Sequence, residues 1–278
     1  MKRKAYILLF LIGSIISGCS KFSRIQKSDN IDLKYKAAVE FYEKKQYYKA
    51  STLFEELIPL MKGQAEAEKA TFYYAYSQFY MGQYVVSEYH FRRFHETFPR
   101  SPLAEEAYYM ECVSLFEDSP DFELDQTNTL KALNSIQQFI QEYPKSKFMP
   151  DCNNMIDKLT LKLENKYYNL SKLYHHMREY KSAVVAFDNL IKDFPSSRYV
   201  EEAFFLKVEA QYKYAEESIE SKQRARMEKC MEFYLSFIDK FPNSKYTSNA
   251  EVYYDKAQAK VKYIEEAGIV QEKDQLTN

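Results

Sequence analysis

The residues able to carry covalent or metal chemistry are few, and most are badly spaced for it. Cysteines stand at 19, 112, 152 and 230. Cys112, Cys152 and Cys230 lie in apolar stretches of helical periodicity, where a small buried side chain accounts for them without redox chemistry. His90, His95, His175 and His176 form no His-Glu-x-x-His arrangement, and neighbours on a helix such as His175 and His176 point about 100° apart, which suits chelation badly. Solvated histidines and no bound metal or cofactor are expected. The chain has neither a Gly-x-Ser-x-Gly nor a Gly-x-x-x-x-Gly-Lys motif, so the backbone turns that expose a nucleophile or cradle a phosphate are missing. Glu105-Glu106, Glu201-Glu202 and Glu216-Glu217 read as solvated helix starts or faces, where negative charge near the N-terminus is favourable. A non-catalytic chain is the expectation.

Cys19 is the exception, because its surroundings supply a reaction. Lys2-Arg3-Lys4 precedes an apolar run from Ala5 to Ile16, and Ile16-Ser17-Gly18 leads into the cysteine. A basic start and an apolar stretch shorter than the roughly 20 residues of a spanning helix make a secretory signal over residues 1–18. The small residues before Cys19 resemble a bacterial lipobox, in which the thiol receives a diacylglycerol and the cysteine becomes the first residue of the mature chain. Such an anchor holds a protein to a membrane without spanning it. Residues 19–30 are then the lipidated Cys and a polar, flexible tether. Ser20 follows the cysteine, and the resemblance then implies the periplasmic face of the outer membrane.

Charge narrows the partners. With 39 Lys and Arg against 40 Asp and Glu the chain carries a net −1, and losing Lys2, Arg3 and Lys4 makes the mature chain more acidic. No basic field is left to hold nucleic acid or anionic lipid.

The elements show themselves as a repeat. Phe98-Pro99-Arg100-Ser101, Tyr143-Pro144-Lys145-Ser146, Phe194-Pro195-Ser196-Ser197 and Phe241-Pro242-Asn243-Ser244 share an aromatic-Pro-x-Ser box. Eight residues after each Pro stands a small residue (Ala107, Cys152, Ala203, Ala250), and twelve before it another (Ser87, Ala132, Ala183, Cys230). Proline cannot continue a helix interior, so each box marks the end of the second helix of a pair. Phe91, Ile136, Phe187 and Tyr234 follow the upstream small residue by four, and Phe94, Phe139, Leu190 and Phe237 by seven. Those offsets share one helical face, which buries against a partner helix. An earlier unit has Tyr47, Ala50, Phe54 and Leu57, with Pro59 out of phase. Insertions fall at 117–129 and 216–225. The predicted fold is all-α: about five helix pairs over residues 31–265 with inter-helix insertions, followed by a tail at 266–278. The pattern resembles the tetratricopeptide repeat, which implies a superhelix whose first helices line a groove.

Tyr and Phe number 26 and 20, with no Trp, more than this template uses. Phasing from Gly82 and Tyr84 puts Phe72, Tyr76, Phe79 and Tyr80 on one stripe of a first helix, and Tyr35 and Tyr42 at matching places one unit earlier. By the repeat geometry the stripe faces the groove and offers contact area to an extended or unfolded polypeptide. An aromatic stripe at helical spacing serves equally well as core. The missing Trp speaks against a glycan-uptake lipoprotein.

The lipobox, the long repeat units and the repeated box together resemble the BamD family of outer-membrane lipoproteins, most sharply at Phe98 to Ala107, at Asp125-Gln126-Thr127 and at Glu216 to Tyr246. The resemblance implies a subunit of the β-barrel assembly machine that binds unfolded outer-membrane proteins through its N-terminal units and docks on a BamA-like barrel insertase through its C-terminal ones. The groove would include Tyr35, Tyr42, Phe72, Tyr76, Phe79 and Tyr80, and docking would fall between Phe204 and Arg226, at Tyr212 and Lys213. The alternative is a periplasmic adaptor that coordinates cell-envelope or peptidoglycan assembly.

Overall fold

The computed structural model describes residues 21–276; Cys19 and the signal segment 1–18 lie outside them. Among the described residues the regular structure is helical throughout. A helical segment at 21–26 precedes α1 (Ile31–Glu43), α2 (Tyr47–Leu60), α3 (Ala65–Tyr80), α4 (Tyr84–Thr97), α5 (Ala104–Glu117) and α6 (Thr127–Glu142). Then follow α7 (Met149–His176), α8 (Tyr180–Asp193), α9 (Val200–Glu216), α10 (Glu220–Lys240) and α11 (Thr247–Leu276).

Each aromatic-Pro-x-Ser box ends the second helix of a pair, as its proline requires. Phe98, Tyr143, Phe194 and Phe241 cap α4, α6, α8 and α10 with nearly the same backbone, φ from −121° to −132° and ψ from 56° to 66°. The residue before a proline is driven out of the helical region in this way. The serine then folds the chain back. Its hydroxyl accepts the backbone N–H two residues on, from Leu103, Phe148, Tyr199 and Tyr246 at 3.0 to 3.3 Å. Three of the four serines also donate to a carboxylate on the first helix of their own pair: Ser101 to Glu68, Ser197 to Glu164 at 2.9 Å and Ser244 to Glu201 at 2.6 Å. The box therefore closes the hairpin as well as ending it.

The other end of a hairpin has its own device. Lys45, Gly82 and Arg178, two residues before α2, α4 and α8, have φ of 57°, 73° and 64°. The next N–H reaches back to Phe41, Gln78 and Tyr174 at 2.8 to 3.0 Å, the six-to-one bond of a Schellman turn.

The small residues of the repeat, Ser87, Ala132, Ala183, Cys230, Ala107, Cys152, Ala203 and Ala250, are fully buried. So are Phe91, Phe94, Ile136, Phe139, Phe187, Leu190 and Phe237. Tyr234 is half-buried and packs at 4.7 Å on Tyr254. Burial pushes the thiol of Cys152 up to about 11 and that of Cys230 to about 12, which leaves them inert small apolar groups.

The chain divides into two units, one to Leu159 and the other from Thr160, with α7 running through both. In the first, Leu53, Phe54 and Leu57 centre one cluster, Phe72, Phe91 and Phe94 a second, and Ile136, Phe139 and Leu159 a third. In the second, Phe187 and Leu190 centre one cluster and Val208, Met227 and Phe237 another, covered by α11.

Some expectations change. Residues 21–26 are helical, and Phe22 and Ile25 pack on the first cluster, with Phe22 edge-on to Phe41 at 5.7 Å. That part of the expected tether is held by two apolar side chains set among polar ones. Pro59 stands inside α2 one residue before its end. The 117–129 insertion is an ordered loop in which buried Gln126 donates to the carbonyls of Asp121 and Leu124 and accepts from Thr129. The 216–225 insertion is largely a longer α10. Helix α11 runs to Leu276, through most of the segment expected as a tail.

Candidate functional site

The candidate groove residues divide between two faces of α3. At 3.6 residues per turn, positions 69, 73, 76 and 80 form one stripe and 68, 72, 75 and 79 the next. Phe72 belongs to the second stripe and is core: it is 5% exposed, meets Phe94 at 5.3 Å and stands edge-on to Phe91 at 6.0 Å. Phe79 packs beside that cluster against Tyr84 at 5.5 Å. The expected groove stripe of 72, 76, 79 and 80 therefore spans the boundary between core and surface. Phe72 is buried with its edge at the cleft, and Phe79 is half-buried beside the same cluster.

Tyr76 and Tyr80 follow on the neighbouring stripe: Tyr76 is half-buried and meets Phe72 and Phe91 edge-on, each at 5.0 Å, while Tyr80 is exposed. Tyr42 of α1 stacks on Tyr73 at 4.3 Å and 12°. Tyr80 stacks on Tyr47, at the start of α2, at 4.6 Å and lies 5.9 Å from Tyr76. Tyr42 and Tyr47 meet edge-on at 5.9 Å. Tyr35 packs below this run, against the first cluster. Five tyrosines thus form a continuous ladder across α1, α2 and α3, with Lys69 Nζ 5.2 Å from the Tyr73 ring centre.

A carboxylate closes the ladder. The Tyr76 hydroxyl donates to Glu106 Oε1 of α5 at 2.5 Å. Burial first, then the bond to Glu106, pushes the Tyr76 phenol far above its ordinary value. Burial and then the neighbouring phenols of Tyr80, Tyr47 and Tyr73 do the same to Tyr42. These groups stay neutral donors at any physiological pH. A cleft of about 310 Å³ opens between α3 and α5, lined by Ala65, Glu68, Lys69, Phe72, Tyr73, Leu103 and Glu106. Chemically the site offers ring faces, hydroxyl donors and carboxylate acceptors. Nothing in it is placed as a nucleophile with a general base.

Glu106, expected as solvated helix-start charge, is instead tied to Tyr76, and a repeat signal marks its position. Seven residues after the Pro of three boxes stands an acid, Glu106, Asp151 or Glu202. Each meets a tyrosine of the preceding first helix: Tyr76; Tyr109, whose hydroxyl is 3.4 Å from Asp151; and Tyr168, which has Glu202 within hydrogen-bonding reach. Part of the aromatic surplus is structural in another way. The residue four after the Pro stacks across the hairpin, with Phe148 on Tyr109 at 4.0 Å, Tyr199 on Tyr168 at 4.0 Å and Tyr246 on Phe205 at 4.9 Å.

The expected docking pair points to different neighbours. Tyr212 packs at 5.3 Å on Tyr253 of α11 and lines a cleft of about 550 Å³ with Glu216, Gln223, Met227, Lys256, Ala259 and Lys260. Lys213 pairs with Glu209 at 2.6 Å and lies 5.6 Å over Tyr180. Glu209 lies near both: after burial, its negative charge is the next cause that raises the Tyr253 phenol above its ordinary value. His175 Nε2 stands 3.7 Å from Glu209 with no hydrogen-bond partner, and burial lowers its pKa. His95 pairs with Glu111 at 2.7 Å and stacks on Tyr108, and His90 packs edge-on to Tyr74. The expectation of solvated histidines fails at these three, where a ring that can both pack and bond fills a helix interface.

Comparison with known proteins agrees with the lipoprotein resemblance. Outer membrane protein assembly factor BamD of Caulobacter vibrioides is 22% identical over 208 residues, 73% of this chain and 68% of that protein. BamD of Rickettsia prowazekii is 24% identical over 73% of this chain and 81% of its own length, and that of Neisseria gonorrhoeae 22% over 76% and 84%. Among solved structures, the TPR2AB-domain:pHSP90-complex of yeast Sti1 aligns with a TM-score of 0.40 at 16% identity, over 88% of this chain and 96% of that one. The family described as YfiO, Outer membrane lipoprotein, matches residues 28–227 and 178–265. The chain belongs to this family of outer membrane lipoproteins.

Proposed function

We propose that this protein is an outer-membrane lipoprotein subunit of a β-barrel assembly machine. Anchored through Cys19 at the periplasmic face, it holds unfolded outer-membrane proteins on the tyrosine ladder and docks on a BamA-like insertase through its second unit. The observation that carries the reading is the ladder itself. Tyr73, Tyr42, Tyr47, Tyr80 and Tyr76 follow one another in ring contact, stacked except for the edge-on Tyr42–Tyr47 step, with Tyr73 at the wall of a cleft and Tyr80 51% exposed. Rigid amphipathic rings give contact area at low entropy cost, and their hydroxyls bond to an extended backbone. The names of the curated relatives support the assembly role. In this reading transfer of a client runs downhill in free energy through a succession of binding sites, and a readily reversible affinity suits that task. Docking is assigned to the cleft that Tyr212 lines between α9, α10 and α11, with Lys213 beside it.

Affinity purification of the lipidated protein in mild detergent tests the reading. A β-barrel protein with periplasmic domains is expected in stoichiometric amount. Recovery of envelope-synthesis enzymes without a barrel partner would replace this reading with that of an adaptor.

A further inference from the structure

The charge around the ladder selects what part of a client it can hold. The cleft between α3 and α5 carries two carboxylates, Glu68 and Glu106, and one ammonium, Lys69. Glu68 accepts the Ser101 hydroxyl on one oxygen, at the hairpin end of the cleft, and adds to its negative charge. Glu106 accepts the Tyr76 hydroxyl on one oxygen, and a carboxylate has room for about four bonds in all. Among the described residues no Lys, Arg or His nitrogen lies within 4.0 Å of it. The corresponding hub of the second unit differs, since Glu209 is already neutralised by Lys213 at 2.6 Å.

A peptide's terminal carboxylate brought to this cleft would meet like charge at Glu106 and a single cation to offset it. A guanidinium or ammonium meets the opposite. Its face can lie against the Tyr73 ring at the cleft wall, as the Lys69 ammonium already does, and its N–H groups reach a carboxylate with acceptor capacity left. We infer that, within the receptor role proposed above and resting on it, the ladder and Glu106 read a basic side chain inside an extended, aromatic-bearing segment of the client, and not the carboxylate at its end. The planar fork of Arg suits the stacked rings and the carboxylate together, so Arg is preferred to Lys.

Fluorescence anisotropy on the intact lipidated protein in detergent separates the possibilities, using short labelled peptides that alternate aromatic and polar residues and end in Phe. Three forms are compared: one internal Arg with a free acid end, the same peptide amidated, and the free acid with Glu in place of Arg. Amidation should leave the affinity unchanged or tighten it, whereas Arg to Glu should weaken it by about tenfold or more. Glu106→Gln keeps an acceptor for Tyr76 and should remove most of that discrimination with the helical circular dichroism intact. Lys69→Glu should enlarge it, which keeps the test open if Glu106→Gln unfolds. Binding that needs the free acid end and ignores the internal Arg would overturn the inference while leaving the receptor role standing. Failure of every peptide to bind would remove the receptor role and the inference with it.

Discussion

Tyr80 and Phe72 sit eight residues apart on one helix, yet their removal should have different consequences. Phe72→Ala takes a buried ring from its packing on Phe91 and Phe94 and should cost about 3–5 kcal/mol of stability. Tyr80→Ala removes a half-exposed ring stacked on Tyr47 and should cost about 1 kcal/mol or less, while weakening client binding. Denaturant midpoints for the two variants decide whether the face division is right; equal losses would put Tyr80 in the core. The buried phenols also make stability depend on alkaline pH. Tyr42, Tyr76 and Tyr109 have raised values in the fold, Tyr109 to about 12, against about 10 in the unfolded chain. Their contribution is complete below pH about 10 and is lost as pH rises through the folded values, because the unfolded state gives up the protons first. Phenolate absorbance from these rings should therefore appear together with loss of helical circular dichroism. Ordinary titration near 10 with the helices intact would mean the rings are in water. Aromatic content and helical spacing were legible in the sequence. Which side of a stripe faced water was not, since a rotation of about 40° separates Phe72 from Tyr76 and only the tyrosine hydroxyl hints at the difference.

At the scale of the elements, the box of aromatic, Pro, any residue and Ser does two jobs, and the sequence displayed only the first. Proline visibly ends a helix. The serine's bond to a glutamate on its partner helix spans 33 residues at Ser101 and Ser197 and 43 at Ser244, a long-range pairing that the local pattern of the box does not display. Ser197→Ala should destabilise the second unit by about 1 kcal/mol, through loss of the turn bond and the bond to Glu164 together. Its exposed neighbour Ser196 provides the control, with Ser196→Ala within about 0.5 kcal/mol of the parent. Urea unfolding of both variants checks this; equal effects would reduce the serine to a passive turn residue. The helix at 21–26 escaped notice for a related reason. Phe22 and Ile25 are two apolar residues in a polar stretch, too few to show a period, and their partners Phe41 and the first cluster are set by tertiary packing.

For the molecule as a whole, the chain belongs to a family of outer membrane lipoproteins, and the receptor role proposed for the tyrosine ladder is tested at this scale. No helix among the described residues is long and apolar enough to cross a membrane, and the proposed attachment through Cys19 can be tested directly. Cys19→Ala should move the protein from the membrane pellet to the soluble periplasmic fraction. Retention in the pellet of a strain lacking the barrel partner would contradict the lipid anchor. The central claim, that the ladder holds clients during assembly, is tested most directly by crosslinking in living cells with a photoreactive amino acid placed at position 80. Adducts with unfolded outer-membrane proteins are predicted there, and none from the same probe at exposed Val185 on α8. Equal adducts at both positions, or none at position 80 while the barrel partner still copurifies, would contradict the account.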